Sequence, residues 1–367
     1  MKILMISRAT LFLQPGGDTI QLTKTAEHIN FGTHEHGFHV DIKTADQNID
    51  FSKYDLLHFF NISRPSDYLG AIYKSKLPYV VSTIFVDYSE VEKNHFKASR
   101  RILSKIFSTD KIEYFKTISR FLKKQEKITS YCYFLLGQKN SIKTILKKAK
   151  VLMPNSKSEY NRLFESYGIN QDYIVVPNGI DTEVFKKKPI IDNKYKKFKN
   201  SIISVGQLTP VKNHINLIMA LNNTEHQLFI IGPPSLNAKD YFNKCLNIAS
   251  KNINFIEKLS QEDLSIIYSL AKVHVLPSWF ETTGLVSLEA AYSGCNIVIT
   301  NRGDQVEYFE DNAFYCEPDN VESIKNAIER ALKTKPNDEL KNKISTQYNW
   351  HNAALKTIKA YKKAFDK

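Results

Sequence analysis

Residues 277–300 have the sequence PSWFETTGLVSLEAAYSGCNIVIT, and this stretch decides the fold. A turn that contains two threonines and a glycine follows the apolar run VHVLP, and the apolar run NIVIT ends the stretch. Between them, the spacing predicts a helix that begins near Thr283, with Glu281 before it and Glu289 inside it. A buried strand, a turn, a helix and a second buried strand form one βα unit of a parallel sheet.

Similar apolar runs bounded by turn residues occur on both sides of this stretch, and helical segments follow many of them. In the first half they are KILMIS, HVDIK, DLLHFF, YVVSTI, VLMP and YIVVP, and in the second half SIISVG, LFIIG, NFIE, VHVLP and NIVIT. A chain of 367 residues is long enough for two hydrophobic cores. The sequence therefore predicts two doubly wound, Rossmann-like α/β domains that face each other across a cleft.

The lysine-rich segment FKKKPIIDNKYKKFKN, residues 185–200, loses the apolar periodicity and is predicted to link the domains. This division gives an N-terminal domain over residues 1–185 and a C-terminal domain over residues 200–345. The chain after Thr300 is predicted to be helical. We expect residues 346–367 to form a final amphipathic helix that packs back on the N-terminal domain.

The turn before the predicted helix is suited to binding an anion. It lies at the carboxyl end of a strand, and the first N–H groups of a helix carry partial positive charge. Thr282, Thr283, Gly284 and Leu285 would form this cradle, with the glycine permitting close approach of phosphate. In the alternative interpretation Glu281 only caps the helix and Glu289 is a solvated helix residue.

The E-x7-E pattern, followed by a helix rich in small residues and a buried strand, resembles the retaining glycosyltransferases of family 4. Glu281, Gly284, Leu285, Glu289, Ala290 and Gly294 all match that family's pattern. The resemblance implies a GT-B architecture, in which the N-terminal domain binds the acceptor and the C-terminal domain binds a nucleotide-sugar donor. It also implies that Glu281 contacts the donor sugar, that Glu289 holds the ribose hydroxyls, and that N–H groups near Gly284 and Leu285 bind the diphosphate.

A second segment, SVGQLTPVKNHINLIMAL, matches the family at Gly206, Leu208 and Lys212, and implies that Lys212 binds the diphosphate. It departs at Gln207, where relatives usually carry arginine. The loss of a planar cation leaves Lys212 to supply most of the charge, unless Lys272 or Arg302 compensates. Glu307, in the segment NRGDQVEYF, is a weaker candidate donor ligand.

The N-terminal half offers less specific candidates. Gly16 and Gly17 follow the first strand and would form a loop that approaches a ligand closely. His58 ends the run DLLH, at a place where the family has a strand ending in histidine, and it is either a site residue or a structural one. Relatives often have a second histidine where this chain has Phe85. Asp87, two residues on, would replace its polar contact or would only cap a helix.

Positive charge is concentrated in one region. The chain carries a formal net charge of +13, and residues 97–150 contain fifteen Lys or Arg against three Asp or Glu. Aromatic and aliphatic residues alternate with these cations, and Ile102, Leu103, Ile106 and Phe107 would share one helical face. We expect a helical insertion that either contacts anionic membrane or packs on its own domain with a solvated basic face.

The sequence predicts no cofactor besides the nucleotide-sugar co-substrate. No D-x-D motif is present and the four cysteines are scattered, so neither a metal-bridged diphosphate nor a zinc site is expected. No apolar stretch of about 20 residues occurs, which favours a cytoplasmic protein, or one held peripherally at the inner face of the cell membrane.

The predicted function is transfer of a sugar from a nucleoside-diphosphate sugar to a saccharide or lipid-linked acceptor, in surface polysaccharide or lipopolysaccharide synthesis. Family resemblance implies retention of configuration and metal independence. The alternatives are a basic protein that binds nucleic acid or membrane, a GT-B epimerase or phosphorylase, and a non-catalytic relative. Binding of nucleic acid is not expected, because it leaves the E-x7-E helix and Lys212 unexplained.

Overall fold

The structure is a computed structural model that describes residues 1–32, 36–86, 107–186, 192–235, 238–336 and 338–366. The chain divides into two compact units. Unit 1 comprises Met1–Asn178 and Trp350–Lys367, and unit 2 comprises Gly179–Asn349. The chain thus passes between the units at Asn178 and Gly179, ahead of the segment 185–200 in which the sequence placed the boundary.

The described part of unit 1 contains a five-stranded parallel sheet with the order β2-β1-β3-β4-β5. Its strands are β1 Lys2–Ser7, β2 His39–Thr44, β3 Leu56–Phe60, β4 Tyr79–Ser82 and β5 Val151–Met153. Its helices before the chain enters unit 2 are α1 Gly17–Gly32, α2 Pro65–Ser75, α3 Thr109–Leu122, α4 Cys132–Lys148 and α5 Lys157–Tyr167.

The part of unit 2 that the structure describes contains a six-stranded parallel sheet with the order β11-β10-β9-β6-β7-β8. Its strands are β6 Ile202–Val205, β7 Leu228–Ile231, β8 Ile253–Ile256, β9 Val273–Leu276, β10 Asn296–Thr300 and β11 Phe314–Cys316. Its helices are α6 Thr182–Lys186, α7 His214–Leu221, α8 Lys239–Ile248, α9 Gln261–Leu270, α10 Leu285–Tyr292, α11 Gln305–Phe309, α12 Val321–Lys333 and α13 Asp338–Gln347.

Alternation along the strands of unit 2 produces a core on each face of the sheet. Ile203 and Val205 pack with residues of α9, α10 and α13, whereas Ile202 packs on the opposite face with residues of α7, α8 and α12. Successive side chains of a strand point to opposite faces, so a strand covered on both sides is apolar throughout. This is the reason for the continuous apolar runs in the sequence.

The last helix, α14 Trp350–Phe365, belongs to unit 1 and packs against α1. It also contributes to the core, because the Tyr361 hydroxyl lies 2.8 Å from Nδ1 of His58. Among the described residues, no helix has both the length and the apolar character needed to cross a bilayer.

One strand assignment and one helical assignment made from the sequence differ from the structure. YIVVP forms only an isolated bridge between Tyr173 and Leu152, although the N–H of Ile174 donates to the Leu152 carbonyl at 2.9 Å. This segment therefore runs beside β5 without completing a ladder. The chain after Thr300 is not purely helical, because Phe314–Cys316 adds β11 to the edge of the sheet, beside β10.

Candidate active site

The strand order of unit 2 creates a natural ligand-binding position between β6 and β9. These strands are neighbours, but the chain continues from β6 towards β8 on one side and from β9 towards β11 on the other. The loops that leave their carboxyl ends therefore diverge. In open α/β sheets, ligands bind at this topological switch point, outside the carboxyl ends of the strands.

Lys212 and Glu281 meet at this switch point. The Lys212 ammonium donates to Oε2 of Glu281, and the two side chains are 23% and 14% exposed. Lys212 ends a 3-10 turn that follows β6, and Glu281 follows β9. The fold thus joins two predicted site residues that are 69 positions apart in the sequence.

Backbone contacts hold the two loops together around this ion pair. The N–H of Trp279 donates to the Val211 carbonyl at 2.9 Å. Asn213, in the left-handed conformation at φ 58°, donates from its side-chain amide to the Pro277 carbonyl at 3.1 Å. The positions of the cation and the carboxylate are therefore set by the fold.

The Glu281 backbone is fixed from its other side by the loop after β10. The N–H of Asp304 donates to the Glu281 carbonyl at 2.8 Å, and Gly303 forms a bridge with Glu281. A Cβ atom at Gly303 would lie 2.0 Å from the Glu281 carbonyl oxygen. Any side chain at this position would displace the Glu281 backbone.

Helix α10 begins at Leu285, two residues after the start near Thr283 that the sequence predicted. Gly284 precedes it at φ 68° and ψ 62°, a left-handed conformation that glycine adopts most easily. A Cβ there would lie 2.2 Å from Nε2 of Gln305. The Thr283 side chain is buried and its hydroxyl lies 3.2 Å from that of Tyr308, so the side chain contributes to packing.

Glu289 is buried inside α10, so the interpretation as a solvated helix residue is wrong. It is 9% exposed, and no hydrogen bond or neighbouring charge among the described residues contributes to the shift of its pKa. Burial raises the pKa of Glu289 to about 8. A buried carboxyl group without hydrogen-bond partners is stabilised by any ligand that donates hydrogen bonds to it.

Gly206 and Gly232 end the neighbouring strands β6 and β7. A Cβ at Gly232 would lie 2.1 Å from the Gly206 carbonyl oxygen, so the two loops pass each other at backbone contact. Gln207 follows at an exposed position, and Leu208 is buried. The structure therefore places Gln207 at the carboxyl end of β6, where its side chain is open to solvent.

The two residues considered as replacements for an arginine at position 207 differ in where they lie. The Arg302 carbonyl accepts from the Glu281 N–H at 3.3 Å, so this residue borders the site. Arg302 pairs with Glu317 at 2.9 Å and lies 3.8 Å from Asp319. Lys272 immediately precedes β9, at the amino end of the strand. Because the strand has four residues and each extends it by about 3.3 Å, Lys272 lies roughly 13 Å from the carboxyl end. The Lys212 ammonium, in contrast, is hydrogen-bonded to the Glu281 carboxylate itself.

Sequence reasoning missed two histidines near Lys212. His214 and His274 are fully buried, and their ring nitrogens have no hydrogen-bond partner among the described residues. Burial, and secondarily the charge of Lys212, lowers the pKa of each to about 3, so both are neutral at physiological pH. A lone histidine in an apolar run gives no signal of such placement.

Glu307 lies on α11 and is exposed. Its backbone N–H donates to the carbonyl of Asp304 at 3.0 Å, and Asp304 belongs to the loop that fixes the Glu281 backbone. A role for Glu307 in donor binding stays a prediction. Within the described ranges, no group of three or more His, Cys, Asp or Glu side chains is arranged to hold a metal ion.

In unit 1, His58 is 1% exposed, and its Nε2 lies 2.9 Å from the Ser82 hydroxyl. With Tyr361 on its other nitrogen, both ring nitrogens are occupied, and burial holds its pKa well below its ordinary value. These contacts favour the structural one of the two roles considered. A role in catalysis remains an untested prediction.

Gly16 and Gly17 are exposed, Gly16 at the end of the loop after β1 and Gly17 at the first position of α1, and Asp87 lies outside the described residues. An ion pair that was not predicted from the sequence anchors this loop. The Arg8 guanidinium binds both carboxylate oxygens of Asp18, at 2.7 and 3.0 Å. Phe85 packs on Tyr167 with ring centroids 5.7 Å apart, which gives it a place in the core of unit 1.

A family model matches part of the chain. Residues 186–349 match the family model described as Glycosyl transferases group 1. The O-antigen chain mannosyltransferase B of Escherichia coli is 30% identical over 118 residues, which are 30% of each chain. Curated relatives match only in part, since the chain covers between 30% and 52% of their lengths.

Solved structures match over the whole chain. Sucrose-phosphate synthase from Thermosynechococcus elongatus has a TM-score of 0.74 at 17% identity, covering 100% of this chain and 99% of that one. The Anabaena protein Alr3699/HepE, in complex with UDP-glucose, has a TM-score of 0.69 at 14% identity and covers 99% of both chains. Residues 186–349 are thus similar to the glycosyl transferases group 1 model, and the chain has the two-domain GT-B fold.

Proposed function

We propose that this protein is a retaining glycosyltransferase of the family 4 type, which transfers a hexose from a nucleoside-diphosphate sugar to a saccharide or lipid-linked acceptor. The observation that carries the proposal is the Lys212–Glu281 pair at the β6/β9 switch point, within the matched domain. A nucleotide sugar combines an anion with hydroxyl groups, and this pair offers one partner for each.

The roles follow from the position of each group. Lys212 and the first N–H groups of α10 would neutralise the diphosphate, because a cation and a helix N-terminus both favour negative charge. Glu281 would accept hydrogen bonds from the sugar hydroxyls. Glu289 would accept them from the ribose, whose hydroxyls would supply the hydrogen bonds that this buried carboxylate lacks.

Catalysis would then rest on stabilising the leaving group. The bond between the anomeric carbon and the phosphate oxygen breaks, and its electron pair stays on the diphosphate. The acceptor oxygen forms the new bond on the same face, and its proton passes to a phosphate oxygen. Fixed cations and N–H donors stabilise the charge that develops on the diphosphate, so the proposed reaction requires no metal.

The solved complex of Alr3699/HepE with UDP-glucose and the O-antigen relative support the proposal by analogy. They suggest a nucleotide-sugar donor and a place in surface polysaccharide or lipopolysaccharide synthesis. The acceptor and linkage depend on pocket contacts that similarity of fold does not specify.

Donor hydrolysis and transfer with UDP-, GDP- and ADP-sugars test the proposal, in EDTA and then in Mg²⁺. We expect Lys212→Ala and Glu281→Ala each to lower turnover by about 10²–10³-fold, the usual effect of removing one charge-stabilising group. Lys272→Ala is the matched control, because this lysine lies at the amino end of β9. Unchanged turnover in both site variants, or equal loss in the control, would contradict the assignment.

We further propose that unit 1 contacts anionic membrane through residues 107–135 of the basic region, with the protein at the inner face of the cell membrane. Four large apolar side chains of this segment are strongly exposed: Phe115 at 57%, Leu122 at 74%, Tyr131 at 84% and Leu135 at 90%. Cations lie among them, which suits a surface of anionic lipid. Residues 97–106, including most of the predicted apolar face, lie outside the described residues.

Sedimentation with vesicles tests this contact. We expect binding to phosphatidylglycerol vesicles that weakens in salt and falls at least fivefold in the double variant Leu122→Ser/Leu135→Ser. Phe31→Ser, which removes an apolar side chain that is 75% exposed on α1, is the control. Equal binding by the double variant, or salt-sensitive binding of DNA in place of vesicles, would overturn the proposal.

A further inference from the structure

A cavity lies within unit 1, beside helix α2. It has a volume of about 360 Å³ and is lined by Ile6 of β1, residues 45–49 after β2, and Asp67, Gly70 and Ala71 of α2. The order β2-β1-β3 makes β1 and β3 the switch point of this sheet. The cavity lies beside this position, between helix α2 and the loop that follows β2.

Asp67 forms the polar floor of this cavity. It is 3% exposed, and its Oδ2 atom has no hydrogen-bond partner among the residues that the structure describes. A buried oxygen without a partner costs free energy and calls for a specific explanation. Burial raises the pKa of Asp67 to about 7, and this effect outweighs the charges around it.

Those surrounding charges are largely engaged with other groups. Arg64 and Arg120 pair with Glu126, and Arg8 pairs with Asp18. Each of these arginines lowers the pKa of Asp67 and Glu126 raises it, but none of them satisfies Oδ2. The Asp67 side chain, which lines the cavity, thus retains a buried oxygen without a hydrogen-bond partner among the described residues.

The outer wall of the cavity is fixed to α2. The Thr129 hydroxyl donates to the Ser66 carbonyl at 2.6 Å and accepts from the Gly70 N–H at 3.0 Å. A Cβ at Gly70 would lie 2.5 Å from the Thr129 carbonyl oxygen, so this contact requires glycine. The segment 127–129 is thus held as a wall of a built site.

The rim combines cations, amides and an aromatic ring. Lys74 and Lys127 are exposed at the mouth, and neither forms an ion pair within the described ranges. Asp46, Gln47 and Asn48 line the side after β2, and Phe51 is partly buried beside them. A hydroxyl-rich ring can donate to Asp67, accept from the lysines and lay its apolar face on Phe51.

We propose that this cavity binds a saccharide, with Asp67 accepting hydrogen bonds from its ring hydroxyls and Lys74 and Lys127 donating to its oxygens. The assignment of this saccharide as the acceptor's sugar end rests on the proposed function. The binding itself does not, because it is measured without donor and without transfer.

Saturation-transfer NMR with the methyl glycosides of mannose, glucose, galactose and N-acetylglucosamine, and with their disaccharides, tests the proposal on the full chain. We expect at least one to bind, with affinity reduced tenfold or more in Asp67→Asn and in Lys127→Ala. Lys123→Ala is the matched control, because this exposed lysine is four residues away and does not line the cavity. Lys212→Ala, in unit 2, should bind the saccharide normally.

A measurement on the unaltered chain guards against variants that fail to fold. A bound glycoside should slow acetylation of Lys74 and Lys127 at least threefold relative to Lys123, as measured by mass spectrometry. The absence of binding by every glycoside, or binding unaffected by Asp67→Asn, would overturn the inference. Saccharide binding by a chain that binds no nucleotide would sustain this inference while refuting the proposed function.

Discussion

Glu289→Gln should stabilise the ligand-free protein at high pH while weakening its binding of nucleotide. The carboxyl group is buried, and its pKa of about 8 lies well above the ordinary value of 4.5. Between these two values the folded state keeps a proton that the unfolded state has lost. The free energy of unfolding must therefore fall as pH rises through this window, and the decline stops above pH 8.

The magnitude follows from the shift itself. Each pKa unit corresponds to 1.36 kcal/mol, so ionisation of Glu289 should cost about 3–5 kcal/mol between pH 5 and pH 9. A glutamine has no proton to lose and escapes this cost. The stability difference between Glu289→Gln and the parent should grow by about that amount over the same range.

Fluorescence-monitored urea unfolding measures this difference. The chain has two tryptophans, so a Trp350→Phe background leaves Trp279 in unit 2 as the reporter. Glu307→Gln makes the same chemical change at an exposed position of the same unit and serves as the control. Profiles of Glu289→Gln and its parent that stay parallel within about 1 kcal/mol from pH 5 to 9 would refute the reasoning.

Three further predictions concern the same site. Gly303→Ala should reduce transfer at least tenfold, because the added Cβ would collide with the Glu281 carbonyl. Gly294→Ala is the control: its φ of 104° is close to the 101° of Gly303, but the space around it is open, so turnover should stay near normal. Equal turnover losses in the two variants would show that backbone strain alone is responsible. Gln207→Arg should tighten nucleoside-diphosphate binding in calorimetry by about 1 kcal/mol, roughly fivefold, since it adds a cation beside the phosphate position; unchanged affinity would place the diphosphate elsewhere. EDTA should leave turnover unchanged, and a loss that Mg²⁺ restores would refute the metal-free mechanism.

Most of the strands could be predicted from sequence because parallel strands covered on both faces must be apolar throughout, as VHVLP and NIVIT are. The short edge strand Phe314–Cys316 was missed since three residues give too little pattern. YIVVP was assigned wrongly because it has a strand's composition but pairs with β5 at one bridge only. Apolar composition reports burial, and ladder formation depends on the neighbouring chain.

In the candidate site, the sequence motifs predicted which residues matter but not how deeply each one is buried. Motif spacing identified Lys212 and Glu281, and the order of the strands then explains why they meet. The burial of Glu289 was not predictable, because a glutamate inside a helix has the same place in the sequence pattern whether it is solvated or buried. Asp67 escaped notice since an aspartate in the first turn of a helix is common for capping and dipole reasons alone.

The most direct test of the donor site is a calorimetric and thermal-shift titration of the purified chain with UDP, GDP, ADP and their common sugar conjugates, first without metal and then with Mg²⁺. We expect saturable stabilisation by one nucleotide family without metal, largely lost in Lys212→Ala and preserved in Lys272→Ala. The absence of a response to every nucleotide, or a response that Lys212→Ala leaves intact, would contradict a nucleotide-sugar site between β6 and β9.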